Sequence, residues 1–151
     1  MVSSEVLKFE GYFHVVSVGI IKKEGKTVDI EVHQKYKDAL RGLDQFSHII
    51  VCFWLHKNDT KEKRSILQVH PKGNMANPLT GVFATRSPAR PNLIAISICK
   101  ILDVEGNIVH IDKIDALNGT PVIDIKPYIP RIDSISEARI PKWAERHIDY
   151  D

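Results

Sequence analysis

The sequence predicts a mainly β protein, a single-sheet β-barrel or strongly curved sheet with a few short helices. Three observations carry this. At least seven runs rich in β-branched and aromatic residues are separated by turn residues, and only short stretches show helical spacing. None of the eight glycines stands in a G-x-G-x-x-G or P-loop pattern, so nothing points to a doubly wound nucleotide fold.

Taken in order, Tyr12 to Ile21 is β-branched and aromatic, and Lys22–Lys26 reads as a turn into Thr27–Val32. This is an opening hairpin. Gln34–Arg41 carries Tyr36, Ala39 and Leu40 at helical spacing, with Gly42 as a left-handed stop after one or two turns. In Ser47–His56 the alternation sets His48, Ile50, Cys52, Trp54 and His56 on one face and Ile49, Val51, Phe53 and Leu55 on the other. Both faces are largely apolar, as in a central strand. Asn58–Arg64 has room for one helical turn, Ser65–His70 for a strand, and His70–Asn74 is a polar loop.

Leu93–Leu102, Ile108–Ile114 and Pro121–Ile125 are the remaining β-rich runs, with a turn over Asp103–Asn107. Asn118-Gly119 is the strongest short hairpin signal in the chain. Lys126–Pro130 reads as extended but not as a central strand, because Pro127 and Pro130 lack backbone donors. Ser134–Glu137 fits a capping box and predicts a short helix ending before Pro141, with a surface tail over Trp143–Asp151.

The 151 residues are read as one domain, 1–151, of soluble composition, with 43% hydrophobic and 26% charged residues. The first ten residues hold no apolar h-region, and the longest apolar run, Ile49–Leu55, is far too short for a membrane span. A cytoplasmic protein is the expectation. Cys52 and Cys99 each sit in an apolar run without metal-ligand spacing, which predicts buried thiols rather than nucleophiles. His48 and His56 lie about 26 Å apart along an extended strand and cannot share a metal. No metal site is expected.

The net charge is only +2, but residues 1–92 hold 14 Lys and Arg against 9 Asp and Glu, while the remainder is acidic. One basic face for a polyanion is permitted, and a solvated mixed surface explains the asymmetry almost as well. The basic part ends in Gly81-Val82-Phe83-Ala84-Thr85-Arg86-Ser87-Pro88-Ala89-Arg90-Pro91-Asn92. Two prolines make this a stiff connection, in which Arg86 and Arg90 stand about 12 Å apart if the chain is polyproline-like. They would then meet different anionic groups. Read as a loop alone, they fit solvated charges or ion-pair partners as well.

This stretch, followed by an apolar strand, resembles the central signature of the TsaA/TrmO-like family of S-adenosylmethionine-dependent tRNA adenosine methyltransferases. Two further blocks stand in the family's order: Gly42-Leu43-Asp44-Gln45-Phe46-Ser47-His48, and Asn118-Gly119-Thr120-Pro121 continuing to Pro130. The likeness covers residues 14–139 and leaves 140–151 as a tail.

The resemblance implies a β-barrel, S-adenosylmethionine as cofactor, tRNA as partner and a homodimer. It implies cofactor contacts from His56, Lys57, Arg86, Ile96, Asp115, Ala116, Leu117 and Asn118. Arg90 and Asn92, with Lys126 and Tyr128, are implied to face the tRNA or its modified nucleotide. There are departures. The loop after the first strand is short, Lys57 replaces the usual residue after the histidine, Ala95 replaces a glycine, and Asn118 removes a carboxylate, leaving Asp115 as the nearby acid.

The reaction so implied is methyl transfer to the exocyclic nitrogen of threonylcarbamoyladenosine beside the anticodon, a transfer governed by positioning and charge. A general base is left unassigned among Asp124, Tyr128, a histidine and the substrate's own carboxylate. Two other readings stay open. One is a non-catalytic module binding nucleic acid or an adenosine ligand through the arginine loop, and the other is an interaction protein without a small ligand.

Overall fold

The computed structural model describes residues 11–145. Strands β1 (Gly19–Glu24) and β2 (Thr27–Val32) pair from Gly19↔Val32 to Glu24↔Thr27, so that Gly25 and Lys26 form a two-residue turn. Gly25 has φ of +56°, the left-handed value that tight hairpin turns require. The predicted turn over Lys22–Lys26 thus narrows to its last two residues. The predicted strand from Tyr12 also begins later: residues 11–18 form no strand, and Tyr12, Phe13, Val15 and Val16 are exposed. Strand propensity needs a neighbour, and the strand beside β1 reaches it only at Gly19 and Ile20.

A 3-10 segment over Gln34–Leu40 buries Leu40, and Gly42 turns the chain with φ of +87°. Strand β3 (His48–Trp54) alternates as its sequence predicts, with Ile49, Val51 and Phe53 buried and the intervening residues half-buried outside. Helix α1 (Lys61–Arg64) is a single turn capped by Thr60, whose hydroxyl accepts from the Lys63 N–H at 3.2 Å. Of the strand predicted over Ser65–His70, only β4 (Gln68–Val69) pairs, with β5 (Thr80–Gly81), as a small ribbon apart from the main sheet.

Strands β6 (Ile94–Glu105) and β7 (Ile108–Ile111) meet around Gly106-Asn107. Asp103–Glu105, predicted as turn, therefore continue the strand, because the ladder to β7 holds them. Strand β8 (Pro121–Pro127) inserts between β1 and β3 and closes a barrel in the order β1-β2-β7-β6-β3-β8. Ile21, Ile30, Ile49, Val51, Val109 and Val122 fill it with no exposed surface, and Cys99 of β6 joins them. Burial of each aliphatic chain contributes about 1.5–3 kcal/mol.

Two local signals are used differently from their prediction. Asn118-Gly119 makes a turn but no β7–β8 hairpin, since β8 pairs with β1 and β3. Instead the turn docks on β1: the Gly119 N–H donates to the Ile21 carbonyl at 2.8 Å, and the Asn118 side-chain oxygen accepts from the Lys23 N–H at 2.8 Å. At the other end, helix α2 (Pro130–Asp133) precedes the predicted capping box. Pro130 brings a helical φ to its first turn, the Asp133 carboxylate accepts from the Ile129 N–H at 2.7 Å, and Ser134 is extended and ends the helix. A 3-10 turn follows at Lys142–Ala144. The rest of the predicted surface tail, 146–151, lies outside the described residues. No helix among the described residues is long and apolar enough to cross a membrane.

One irregularity of the barrel positions the site. Strand β6 changes partner along its length: Ile94–Lys100 pair with β3, whereas the ladder to β7 begins only at Ile101. Its first half therefore has one edge without a strand.

Candidate active site

A cleft of about 930 Å³ opens at that edge. The Leu55 N–H donates to the Leu93 carbonyl at 2.8 Å, and the Ile101 N–H to the Ser47 carbonyl at 2.8 Å, which fixes the phase of the β3–β6 ladder. In that phase the backbone groups of Ile94 and Ile96 turn away from β3, toward the cleft. Their side chains, with Ala95 and Ser97, line its floor.

Three segments wall it. The chain leaving β3 makes a 3-10 turn at His56–Asn58, which brings His56 and Lys57 to the rim. The segment between β7 and β8 contributes Asp115, Ala116 and Leu117, hung from buried Ile114, whose carbonyl accepts from the Lys23 ammonium at 3.0 Å.

The arginine loop is the third wall, and its sequence explains its shape. Val82 is buried and begins a 3-10 turn over Val82–Ala84, after which Ala89 and Leu93 are buried and anchor the loop. Between these anchors, hydroxyls replace the donors and acceptors that a ladder would supply. The Thr85 hydroxyl accepts from the Ser87 N–H at 3.1 Å, and the Ser87 hydroxyl from the Ala89 N–H at 3.2 Å. Arg90 folds back to donate to the Thr85 and Ser87 carbonyls at 3.2 and 3.3 Å. Arg64 ties the loop to the first wall by donating to the Pro91 carbonyl at 3.0 Å and to Asp59 at 3.2 Å. Its guanidinium lies 5.6 Å from the Trp54 ring centroid, and the Trp54 N–H also donates to Asp59.

The two arginines thus differ in kind. Arg90 is half-buried and spends its donors on the loop, whereas Arg86 is exposed on the cleft and its side chain has no hydrogen-bond or ion-pair partner among the described residues. Lys57, His56 and Asp115 are likewise unpartnered at their side chains. Four cations (Lys23, Lys57, Arg86 and Arg90) and one acid (Asp115) line the cleft, so its potential is positive.

Of the residues that the sequence nominates, His56, Lys57, Arg86, Arg90, Ile96, Asp115, Ala116 and Leu117 line this one cleft. Asn118 stands beside it, engaged with Lys23. Asn92, Lys126 and Tyr128 do not line it. Lys126 pairs with Asp124 at 2.7 Å, a hydrogen bond that raises its pKa. The Tyr128 N–H donates to the His48 carbonyl at 3.0 Å, at the far end of β3. Sequence reasoning missed Lys23, Phe83, Ser97 and Thr120 as cleft residues. Phe83 lay within the quoted signature, while only barrel closure brings Lys23 and Thr120 to the site. Neither cysteine lines it; Cys99 is buried as expected but Cys52, on the outer face of β3, is only half-buried, and burial raises both thiols, Cys99 to about 12.

A second charged group lies on the β2-β7-β6 surface. His110 Nδ1 is 2.5 Å from the Asp29 carboxylate and Nε2 is 3.5 Å from Glu105, with Asp103 opposite it in the ladder. The hydrogen bond to Asp29, then the nearby charges, raise the His110 pKa above its ordinary value of 6.5.

The tRNA-methyltransferase O N-terminal domain, as a sequence family, matches residues 19–134. The chain belongs to this family. Curated relatives match much of this chain. A probable S-adenosyl-L-methionine-binding protein of Pyrococcus horikoshii is 50% identical over 131 residues, covering 87% of this chain and 93% of that protein. One from Methanocaldococcus jannaschii is 44% identical, covering 80% of this chain and 96% of that protein. Human tRNA (adenine(37)-N6)-methyltransferase is 47% identical over 96 residues, which are 64% of this chain and 21% of the human protein. The crystal structure of TrmO from P. aeruginosa superposes with a TM-score of 0.69 at 30% identity, covering 90% of this chain. This chain spans 64% of that structure's length. The tRNA-methyltransferase O barrel is therefore the fold of this chain.

Proposed function

We propose that this protein binds S-adenosylmethionine in the β6 cleft and methylates the exocyclic N6 of threonylcarbamoyladenosine next to the anticodon of a tRNA. One observation carries the reading: residues from three separate sequence blocks, His56-Lys57, Arg86 and Asp115–Leu117, converge on one cleft over an unpaired strand edge.

The residues present fit the cofactor. The volume is that of a small-molecule site. The unpaired backbone of Ile96 offers the donor and acceptor that an adenine edge requires, Asp115 offers a carboxylate to a cation, and Arg86 offers a fork to a carboxylate. When bound, the cofactor supplies a methyl group on a positively charged sulfur, so the protein needs neither metal nor nucleophile of its own. Its residues would serve by positioning the donor methyl group against the acceptor nitrogen. The new carbon–nitrogen bond would form as the sulfur–methyl bond breaks to leave a neutral thioether, and the proton of the acceptor nitrogen would pass to the substrate's own carboxylate or to solvent.

Arg90 supports the reading by fixing the loop that carries Arg86, a role within the wall that its two carbonyl contacts favour. The same reading includes a homodimer. Ile98 and Leu102 of β6 are exposed beside the cleft, an apolar strip next to its Ile94 and Ile96 floor that a second copy would cover. Light scattering at working concentration tests it, with twice the chain mass expected.

The reaction is tested with labelled S-adenosylmethionine and two tRNA pools, one carrying threonylcarbamoyladenosine and one made without it. Label is expected in the modified pool only. Label in both pools would overturn the substrate, and binding of the cofactor with no label in either would leave a binding module.

A further inference from the structure

Phe83 has no place in the roles above, yet it is the most exposed apolar side chain of the cleft, at 83%. Its backbone is held. The Val82 N–H donates to the Leu67 carbonyl at 2.9 Å, the Thr85 N–H and hydroxyl both donate to the Val82 carbonyl, and Val82 is buried beneath. A rigid seat therefore presents a phenyl ring to solvent, although folding ordinarily buries such a ring.

From the function proposed above, on which this inference rests, we infer that Phe83 is a stacking platform for an unpaired base of the RNA at the mouth of the cleft. A ligand enclosed by the cleft would meet Ile94, Ile96 and Arg90, each more covered than Phe83. Phe83 at the rim meets instead what enters from outside. Arg86 lies three residues on along the same loop, and Lys57 stands on the same cleft. An aromatic face flanked by unpartnered cations matches a base with its neighbouring phosphates. A purely apolar protein segment would leave both cations desolvated and unpaired.

The test uses Phe83→Ala and Phe83→Trp in the full chain, with an anticodon stem-loop RNA carrying the modified adenosine and with S-adenosylmethionine as separate ligands. Phe83→Ala is expected to raise the Kd and KM for RNA about tenfold, the usual loss for one stacked base, and to change the Kd for S-adenosylmethionine less than twofold. Phe83→Trp should restore RNA binding, with its fluorescence quenched as RNA is added. Unchanged RNA binding by Phe83→Ala, or a loss that falls on S-adenosylmethionine, would overturn the platform.

This and the reaction fail separately. Phe83-dependent RNA binding without methyl transfer removes the reaction alone, whereas methyl transfer by Phe83→Ala at the wild-type KM removes the platform alone.

Discussion

Two charged regions of the barrel have opposite arrangements. On the β2-β7-β6 surface His110 is bonded to the Asp29 carboxylate and has Glu105 at 3.5 Å, so the charge of this histidine is met within the fold. At the cleft Lys57, Arg86 and Asp115 face solvent without partners. Such groups gain nothing for the fold, and an extended loop with two prolines costs order elsewhere to present them. The paired charge of His110 acts on stability, whereas the unpaired charges of the cleft are the ones proposed for binding.

Three substitutions would break or sharpen that contrast. Arg86→Ala should lower methyl transfer about a hundredfold, the scale of losing one preorganised donor, without moving the melting temperature. Single-turnover methylation beside thermal unfolding checks both halves, and turnover within threefold of wild type would remove Arg86 from the site.

Arg64→Ala lies between the two classes, because Arg64 is partnered but holds a cleft wall. It should cost about 1 kcal/mol through its lost hydrogen bonds, read by urea unfolding, and about tenfold in methyl transfer through a loosened loop. A stability loss with unchanged transfer would show that the loop keeps its shape without the tie.

The smallest effect is expected at His110→Gln, which should cost less than about 1 kcal/mol and leave methylation unchanged. Its pH dependence has a definite sign. The folded pKa is raised above the ordinary 6.5, so the protonated form is favoured by folding. Its contribution is complete below that value and is lost as pH rises through the folded pKa. The melting difference between wild type and variant should thus be larger at about pH 6 than at about pH 9; a difference growing with pH would reverse the assignment.

How much of this could be read from the chain depended on how local each signal is. The inside–outside alternation of Ile49, Val51 and Phe53 is a property of one strand, and so it was legible. Gly25 and Gly106 mark turns whose conformation other residues resist. By contrast, Tyr12–Val16 carry strand propensity without a ladder, and Asp103–Glu105 carry turn residues within one; in each case the neighbouring strand decides. Asn118-Gly119 spelled a turn correctly, but which strand it docks on follows from barrel closure between residues nearly a hundred positions apart.

The site divides in the same way. Arg86 and His56-Lys57 lie in motifs and were found by their spelling, while Lys23 reaches the cleft only through the β1–β8 contact that no short window contains. Lys126 and Tyr128 also lie in a motif, the block from Asn118 to Pro130, but β8 carries them along β3 toward its His48 end, away from the cleft.

The change of partner along β6 also bears on solubility. A barrel ordinarily offers no free hydrogen-bonding rim to other chains, yet the first half of β6 exposes both apolar side chains and an unpaired backbone edge. These are the ingredients for chain-to-chain strand addition. A small ligand lying along that edge would occupy the same backbone groups, so a ligand-saturated preparation should withstand concentration and storage better than a stripped one.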